Sequence, residues 1–227
     1  MRATVQDAGS RRDRQRGTTS TRLRTAFDFE AYCRPYGGSL VGRLAATGLI
    51  VHEIGGLQVY RTVVPFHTRA KSSWSDSVGW YVGGAPIEIP VAQAPDFGSA
   101  LVMVRTALRD NRSLSRMPIA RVLRLLGSGF RPTSPDLYSI VSFVDTRGIP
   151  GSERWQDLKA HGLMRISYGD QVCVWITRLH EGLQFASRFP DTEVAHHNMR
   201  RCVERLREVI LSVAREDAPV RAPQTVS

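Results

Sequence analysis

The chain has 227 residues, 42% of them hydrophobic, which is enough to bury one sizeable core and argues against wholesale disorder. Lys and Arg number 31 against 21 Asp and Glu, and the resulting net charge of +10 favours anionic partners: nucleic acid, nucleoprotein or an acidic membrane leaflet. The three cysteines, Cys33, Cys173 and Cys202, form no Cys-x-x-Cys pair, which argues against a disulfide scaffold and fits a reducing compartment.

No secretory leader is expected, and no apolar run is long enough to span a bilayer, so membrane contact is expected to be peripheral. All the cationic side chains except Lys71 and Lys159 are Arg, which suits planar contacts with phosphate and carboxylate. A GC-rich genome explains the same bias without a functional cause.

Residues 1–25 read as a disordered polar tail, because they offer little apolar surface to offset ordering entropy. The tail carries Arg2, Arg11, Arg12, Arg14, Arg16, Arg22 and Arg24 against Asp7 and Asp13. A single domain is expected over 26–216, followed by a loose tail over 217–227. Leu49–Ile54, Gly55-Gly56 and Leu57–Val64 predict a hairpin, since glycine supplies the positive φ of a primed turn. Residues 72–96 read as a long loop with Trp74, Trp80 and Tyr81 and one short strand near Ile87–Val91.

Phe97, Ala100, Leu101, Val104 and Leu108 recur at helical period, predicting a helix over Phe97–Asn111 capped by Asp96. A second helix is expected from Pro118, with Ser115 as a cap, a buried stripe of Ile119, Val122, Leu123 and Leu126, and a stop at Gly127-Ser128-Gly129. Leu137–Val144 reads as a strand buried on both faces, and Asp145–Leu158 as a loop. A second hairpin is expected from Leu163–Tyr168 and Gln171–Thr177. The last helix spans Asp191–Arg215, with Met199, Cys202, Leu206, Val209 and Val213 inward. This order predicts an α+β fold, an antiparallel β-sheet packed against helices.

Sequence patterns for catalysis are absent. The six histidines, His52, His67, His161, His180, His196 and His197, form no zinc spacing, and no Gly-x-Ser-x-Gly or phosphate loop occurs. Cys173, between Val172 and Val174, reads as a small buried hydrophobe. No catalytic residue, metal site or cofactor is expected.

Three features suit binding. The tail arginines Arg11, Arg12, Arg14, Arg16, Arg22 and Arg24 form an electrostatic anchor for a membrane or another anion. Trp74, Trp80 and Tyr81 suit membrane insertion or self-association, unless they pack on the core. Arg105, Arg109, Arg112, Arg116, Arg121 and Arg124 lie on two successive helices with no acid between Asp110 and Asp136, and form a phosphate- or nucleocapsid-facing patch.

Ser115–Gly129, Val141–Gly148 with Gly151-Ser152-Glu153, and Gly162–Ile166 continuing to Val172–Ile176 resemble, in order and spacing, rhabdovirus matrix proteins of the lyssavirus and vesiculovirus groups. The resemblance implies a non-enzymatic structural protein of the virion, lying beneath the envelope and at the inner face of host membranes and in host cytoplasm. Its implied partners are copies of itself, the viral nucleocapsid, the anionic inner leaflet and the viral glycoprotein tail, and its role is assembly and budding. The Pro-Pro-x-Tyr late motif of that family is missing. Two other readings stay open: a basic viral RNA-binding accessory protein (a movement protein or silencing suppressor), and an enzyme with an unfamiliar site.

Overall fold

The computed structural model describes residues 26–215 except 75, 130, 132–138, 156 and 159–170, so the two expected tails lie outside the described residues. Its elements in chain order are α1 (Ala26–Cys33), α2 (Ser39–Gly55), β1 (Tyr60–His67), β2 (Val82–Ile89), α3 (Phe97–Asn111), α4 (Ile119–Leu126), β3 (Ile140–Asp145), β4 (Cys173–Leu179), β5 (Gly182–Arg188) and α5 (Glu193–Ala214). A 3₁₀ turn, Arg112–Arg116, joins α3 to the approach to α4.

The class is α+β, but the sheet is mixed, not antiparallel. Its strand order is β2-β1-β3-β4-β5, with β1–β3 and β3–β4 parallel and the two outer pairs antiparallel. Parallel neighbours need long crossovers, and here α3 and α4 lie between β1 and β3 in the chain.

The expected first hairpin does not form. Leu49–Ile54 is the last part of α2, and Gly55-Gly56 is its stop. Gly56 takes φ +66° and returns its N–H to the His52 carbonyl, while His52 Nδ1 bonds the Leu57 carbonyl at 2.8 Å. The β-branched run is overridden because Val41, Leu44, Ala45, Leu49 and Ile50 already make a helical stripe that is buried in the core. The strand expected near Ile87–Val91 is the end of the eight-residue β2, which shortens the preceding loop.

α3 forms as expected, with the Asp96 carboxylate accepting from Ser99 N–H at 2.7 Å. Ser115 does not cap α4; its hydroxyl donates to the Arg112 carbonyl at 2.7 Å. The stripe of α4 is not buried either: Ile119 and Leu126 are 60% and 50% exposed, and no residue of this helix is buried. β3 buries only Val141, so it is covered on one face. The turn at the end of β4 leads into β5, not back to an earlier strand; residues 163–168 of the expected second hairpin lie outside the described residues.

Two prolines shape the sheet. The Val63 N–H bonds the Ser139 carbonyl at 2.9 Å, and Val63↔Ile140 is the single register pair between β1 and β3. Donors toward one neighbour recur every second residue, so the next would be residue 65, where Pro65 has none. The β1–β3 ladder therefore stops, while β3–β4 continues from Ile140↔Cys173 to Asp145↔Arg178. Pro86, opposite Val63, faces its missing donor to the free edge of β2, where it costs nothing and blocks further pairing.

One sheet face packs on helices: Thr62, Val64, Val141, Val174, Ile176, Leu183 and Phe185 are buried against the layer of α1, α2, α3 and α5. The residues between them, including Val63, Pro65, Ile140, Val144, Trp175 and Leu179, are half-buried or exposed.

A close contact between α1 and α2 lies at Gly42 in α2, where a Cβ would lie 2.3 Å from Cys33 Sγ and 2.9 Å from the Phe29 ring. Gly42→Ala is expected to lower stability by about 1–3 kcal/mol through overpacking, against about 1 kcal/mol gained in helix propensity. A lower urea midpoint at unchanged slope checks it; a raised midpoint contradicts this packing.

Candidate functional site

The most heavily buried polar constellation joins the helical layer to the sheet. Glu30 of α1 accepts from Arg43 Nη2 of α2 and from Arg178 Nε of β4, each at 2.9 Å and both through Oε1. Its other oxygen is 3.6 Å from Arg147, which also grips Asp145 at 2.9 and 2.6 Å. Arg43 and Arg178 are 1% and 0% exposed.

Arg178 also donates to the carbonyls of Leu179 and Gly182, which fixes the β4–β5 turn. The Arg43 guanidinium carbon lies over the Phe143 ring, 4.3 Å from its centroid, and its Nε and Nη1 make no hydrogen bond among the described residues. Burial alone would push the Glu30 carboxyl up. The Arg43 hydrogen bond and the Arg178 and Arg43 charges outweigh it and hold the carboxyl below its ordinary value. Glu30 thus ties α1 to α2 through Arg43 and to β4 through Arg178, so the group is a clamp.

The Ser152 hydroxyl is 3.0 Å from His180 Nε2, a nucleophile–base distance, but Ser152 is 4% exposed and also contacts the Arg147 carbonyl at 3.4 Å. The pair fastens the 146–155 segment to the β4–β5 turn. Cys33 is fully buried and burial pushes its thiol up to about 12, so it is inert at neutral pH. Cys173 is buried as expected and accepts from Arg188 at 3.3 Å. His196 pairs with Asp191 at 2.9 Å at the start of α5. Among the described residues no group of three or more His, Cys, Asp or Glu could hold a metal ion, and no helix is long and apolar enough to cross a membrane.

The predicted binding residues separate into three sets. Arg11, Arg12, Arg14, Arg16, Arg22 and Arg24 lie outside the described residues. Trp80 is 89% exposed, whereas Trp74 and Tyr81 pack together at 6.2 Å, with Lys71 over Trp74 and Arg69 over Tyr81. Arg105, Arg109, Arg112, Arg116, Arg121 and Arg124 are all exposed. Of these, Arg109 pairs with Asp110 at 2.9 Å, and Arg112 lies 5.8 Å from the centroid of the Phe66 ring. Sequence reasoning missed the clamp entirely. Its one signal was that Arg43 and Arg178 sit at inward positions of apolar elements.

No family model matches the chain. It is 28% identical over 193 residues to the acyltransferase PapA3 of Mycobacterium tuberculosis, covering 82% of this chain and 40% of PapA3. It is 25% identical over 202 residues to PapA1 of Mycobacterium bovis, a 2'-acyl-2-O-sulfo-trehalose (hydroxy)phthioceranyltransferase, covering 88% and 39%. Among solved structures, the PapA2 acyl transferase superposes with a TM-score of 0.73 at 24% identity, over 87% of this chain and 44% of that one. The X-domain from teicoplanin biosynthesis superposes at 0.69 and 14% identity, over 93% and 50%. The fold is thus similar to part of the PapA2 acyl transferase and of the teicoplanin X-domain, and the chain spans about two-fifths of the length of the curated relatives it matches.

These findings correct the rhabdovirus resemblance. The short motifs that suggested it are generic β-hairpin and amphipathic-helix patterns, and similarity over most of the chain points to acyltransferases instead. The matrix and RNA-accessory functions, the non-enzymatic reading, the nucleocapsid, glycoprotein, membrane-leaflet and self-association partners, and the virion location are withdrawn with it.

The clamp makes a prediction independent of function. Glu30→Gln leaves Arg43 and Arg178 buried without their counter-charge and is expected to cost about 3–5 kcal/mol. Because folding lowers the Glu30 pKa, its contribution is present above the ordinary carboxylate range, about 4.3, and is lost as pH falls through the lower folded value. Urea unfolding from pH 7 down to pH 3 should show wild type losing stability across that window, with a shallower slope in the variant. Parallel slopes would remove Glu30 from the acid response.

Proposed function

We propose that this chain is part of an acyltransferase that moves an acyl group onto a hydroxyl of a sugar-containing acceptor. The supporting observation is the 28% identity to PapA3 across 82% of the chain. PapA1 is a 2'-acyl-2-O-sulfo-trehalose (hydroxy)phthioceranyltransferase and PapA2 a trehalose-2-sulfate acyltransferase, which suggests the carbohydrate class.

Within such an enzyme the described residues are suited to binding more than to bond-making. Ser152 and Cys33 are shielded, so an acyl-enzyme on either is disfavoured, and direct attack by the acceptor hydroxyl fits better. Such an attack needs a base positioned near the acceptor, and it would come from outside the described residues. The sheet face that no helix among the described residues covers carries Val63, Ile140, Val144 and Trp175 around the place where the β1–β3 ladder stops. It is an apolar surface of a kind that suits an acyl chain.

The test combines binding and turnover. A long-chain acyl thioester should bind the purified protein saturably with a change in tryptophan fluorescence that Trp175→Phe removes. With trehalose or trehalose-2-sulfate added, mass spectrometry should detect the ester. Val144→Asp should raise KM for the acyl donor about tenfold and change kcat less, since a carboxylate beside an acyl chain removes binding common to ground and transition states. Folded protein that neither binds the thioester nor yields ester would overturn the reading.

A further inference from the structure

The buried guanidinium of Arg43 has more donors than the described residues give it acceptors. The residue is 1% exposed, and its Nη2 donates at 2.9 Å to Glu30 Oε1, an oxygen that also accepts from Arg178. Its Nε and Nη1 are buried and make no hydrogen bond among the described residues. A charged group held away from water with donors unsatisfied is costly, and a partner for them would stabilise the fold.

A cavity of about 20 Å³ adjoins this group. Ile176 of β4 with Leu183 and Phe185 of β5 line one side, Val203, Leu206 and Ile210 of α5 line the other, and Arg43 and Arg207 complete the wall. The sheet register places the guanidinium beside it. Phe143, Ile176 and Phe185 are register partners across β3, β4 and β5. Arg43 lies over Phe143, and the cavity lies against Ile176 and Phe185, one and two strands along at about 4.8 Å per strand. Arg207 is exposed and marks the outer end of the space.

Size and chemistry together select the guest. One water needs about 10–15 Å³, so the space suits a single particle of water or halide size and excludes sulfate, phosphate or a carboxylate carrying a chain. Water fits the volume but not the donors. Guanidinium nitrogens donate and never accept, and the six other lining side chains are hydrocarbon. A water accepting from Arg43 would keep both its own hydrogens without a side-chain acceptor. A halide has no hydrogens, accepts from any direction and carries the charge that a buried guanidinium lacks. Apolar walls favour an anion that gives up its hydration readily, so bromide and chloride suit the site and fluoride does not.

We propose that Arg43 and Arg207 hold one halide ion between α5 and the β4–β5 end of the sheet, chloride being the ordinary occupant. The ion acts as a structural counter-charge. It supplements Glu30, whose Oε1 serves two arginines, and it ties α5 to the clamp. The site does not depend on the acyl-transfer reading, because Ile176, Leu183 and Phe185 lie on the helix-covered sheet face and not on the face assigned to the acyl chain.

The test is urea unfolding of the full chain at a constant ionic strength of about 0.1 M, with bromide replacing fluoride. An ion released on unfolding should lower the unfolding constant about tenfold for each tenfold rise in bromide above its Kd. Ile210→Phe, which fills the cavity and leaves Arg43 with Glu30, should remove this dependence. Crystals of the wild-type chain grown in bromide should show an anomalous peak in contact with an Arg43 nitrogen, a measurement that stands even where the variant does not fold. Equal unfolding constants in bromide and fluoride, a bromide dependence that survives in folded Ile210→Phe, or peaks confined to surface arginines, an adventitious ion only, would each overturn the proposal.

Discussion

The fold depends on one carboxylate. Glu30 sits where α1, α2 and β4 meet and is the counter-charge for Arg43 and Arg178, two of the largest fully buried side chains. Taking a guanidinium out of water costs several kcal/mol, and the attraction to Glu30 offsets this only while the geometry holds. Well-packed apolar residues of similar volume often stabilise as much, so the clamp is better understood as a registry device. It fixes α1 over the sheet, α2 against α1, and the β4–β5 turn through the Leu179 and Gly182 carbonyls. Phe143 beneath Arg43 brings β3 into the same arrangement.

The clamp also explains why the helices lie together on one side. With α1 and α2 anchored to the inward face of β4, and α5 packed over β4 and β5, the helical layer covers the Val141, Val174 and Ile176 face. Pro65 then ends the β1–β3 ladder after one register pair, so the sheet is least continuous at its parallel junction. In α/β sheets, crevices at the carboxyl ends of diverging parallel strands are where ligands commonly bind. Here the ladder stops at one missing N–H, and Val63, Ile140 and Trp175 near it are half-buried, with the exposed Arg61–Glu88 ion pair on the same face.

Much of the local structure was legible in the sequence. α3 with its Asp96 cap, α5 with its inward Met199, Leu206, Val209 and Val213, and the start of α4 after Pro118 all carried strong periodic or capping signals. What failed did so for identifiable reasons. Leu49–Ile54 is rich in β-branched residues, yet the helix begins at Ser39, outside the window that suggested a strand, and Gly55-Gly56 is equally good as a hairpin turn or a helix stop. The parallel pairing of β3 and β4 could not be read because sheet order is set by tertiary contacts. The stripe of α4 was correctly identified as amphipathic and wrongly assigned to the core, since periodicity shows that a face exists and not what covers it.

The function was misread through a similar confusion of levels. A net charge of +10 is a statement about the field around the molecule, compatible with a matrix protein, a nucleic-acid binder or an enzyme with acidic partners. It becomes informative only when the charges are placed. Three groups of described arginines differ in their physics. Arg43 and Arg178 are internal and share the single Glu30 carboxylate. Arg147 and Arg205 are half-buried and paired with Asp145, Glu53 and Glu208. Arg105, Arg112 and Arg116 are exposed and make no ion pair with any described carboxylate, and Arg109 reaches only its neighbour Asp110. Arg121 and Arg124 are exposed as well. A count of charged residues sums all three groups, so internal and paired arginines look, in sequence, like free surface charge.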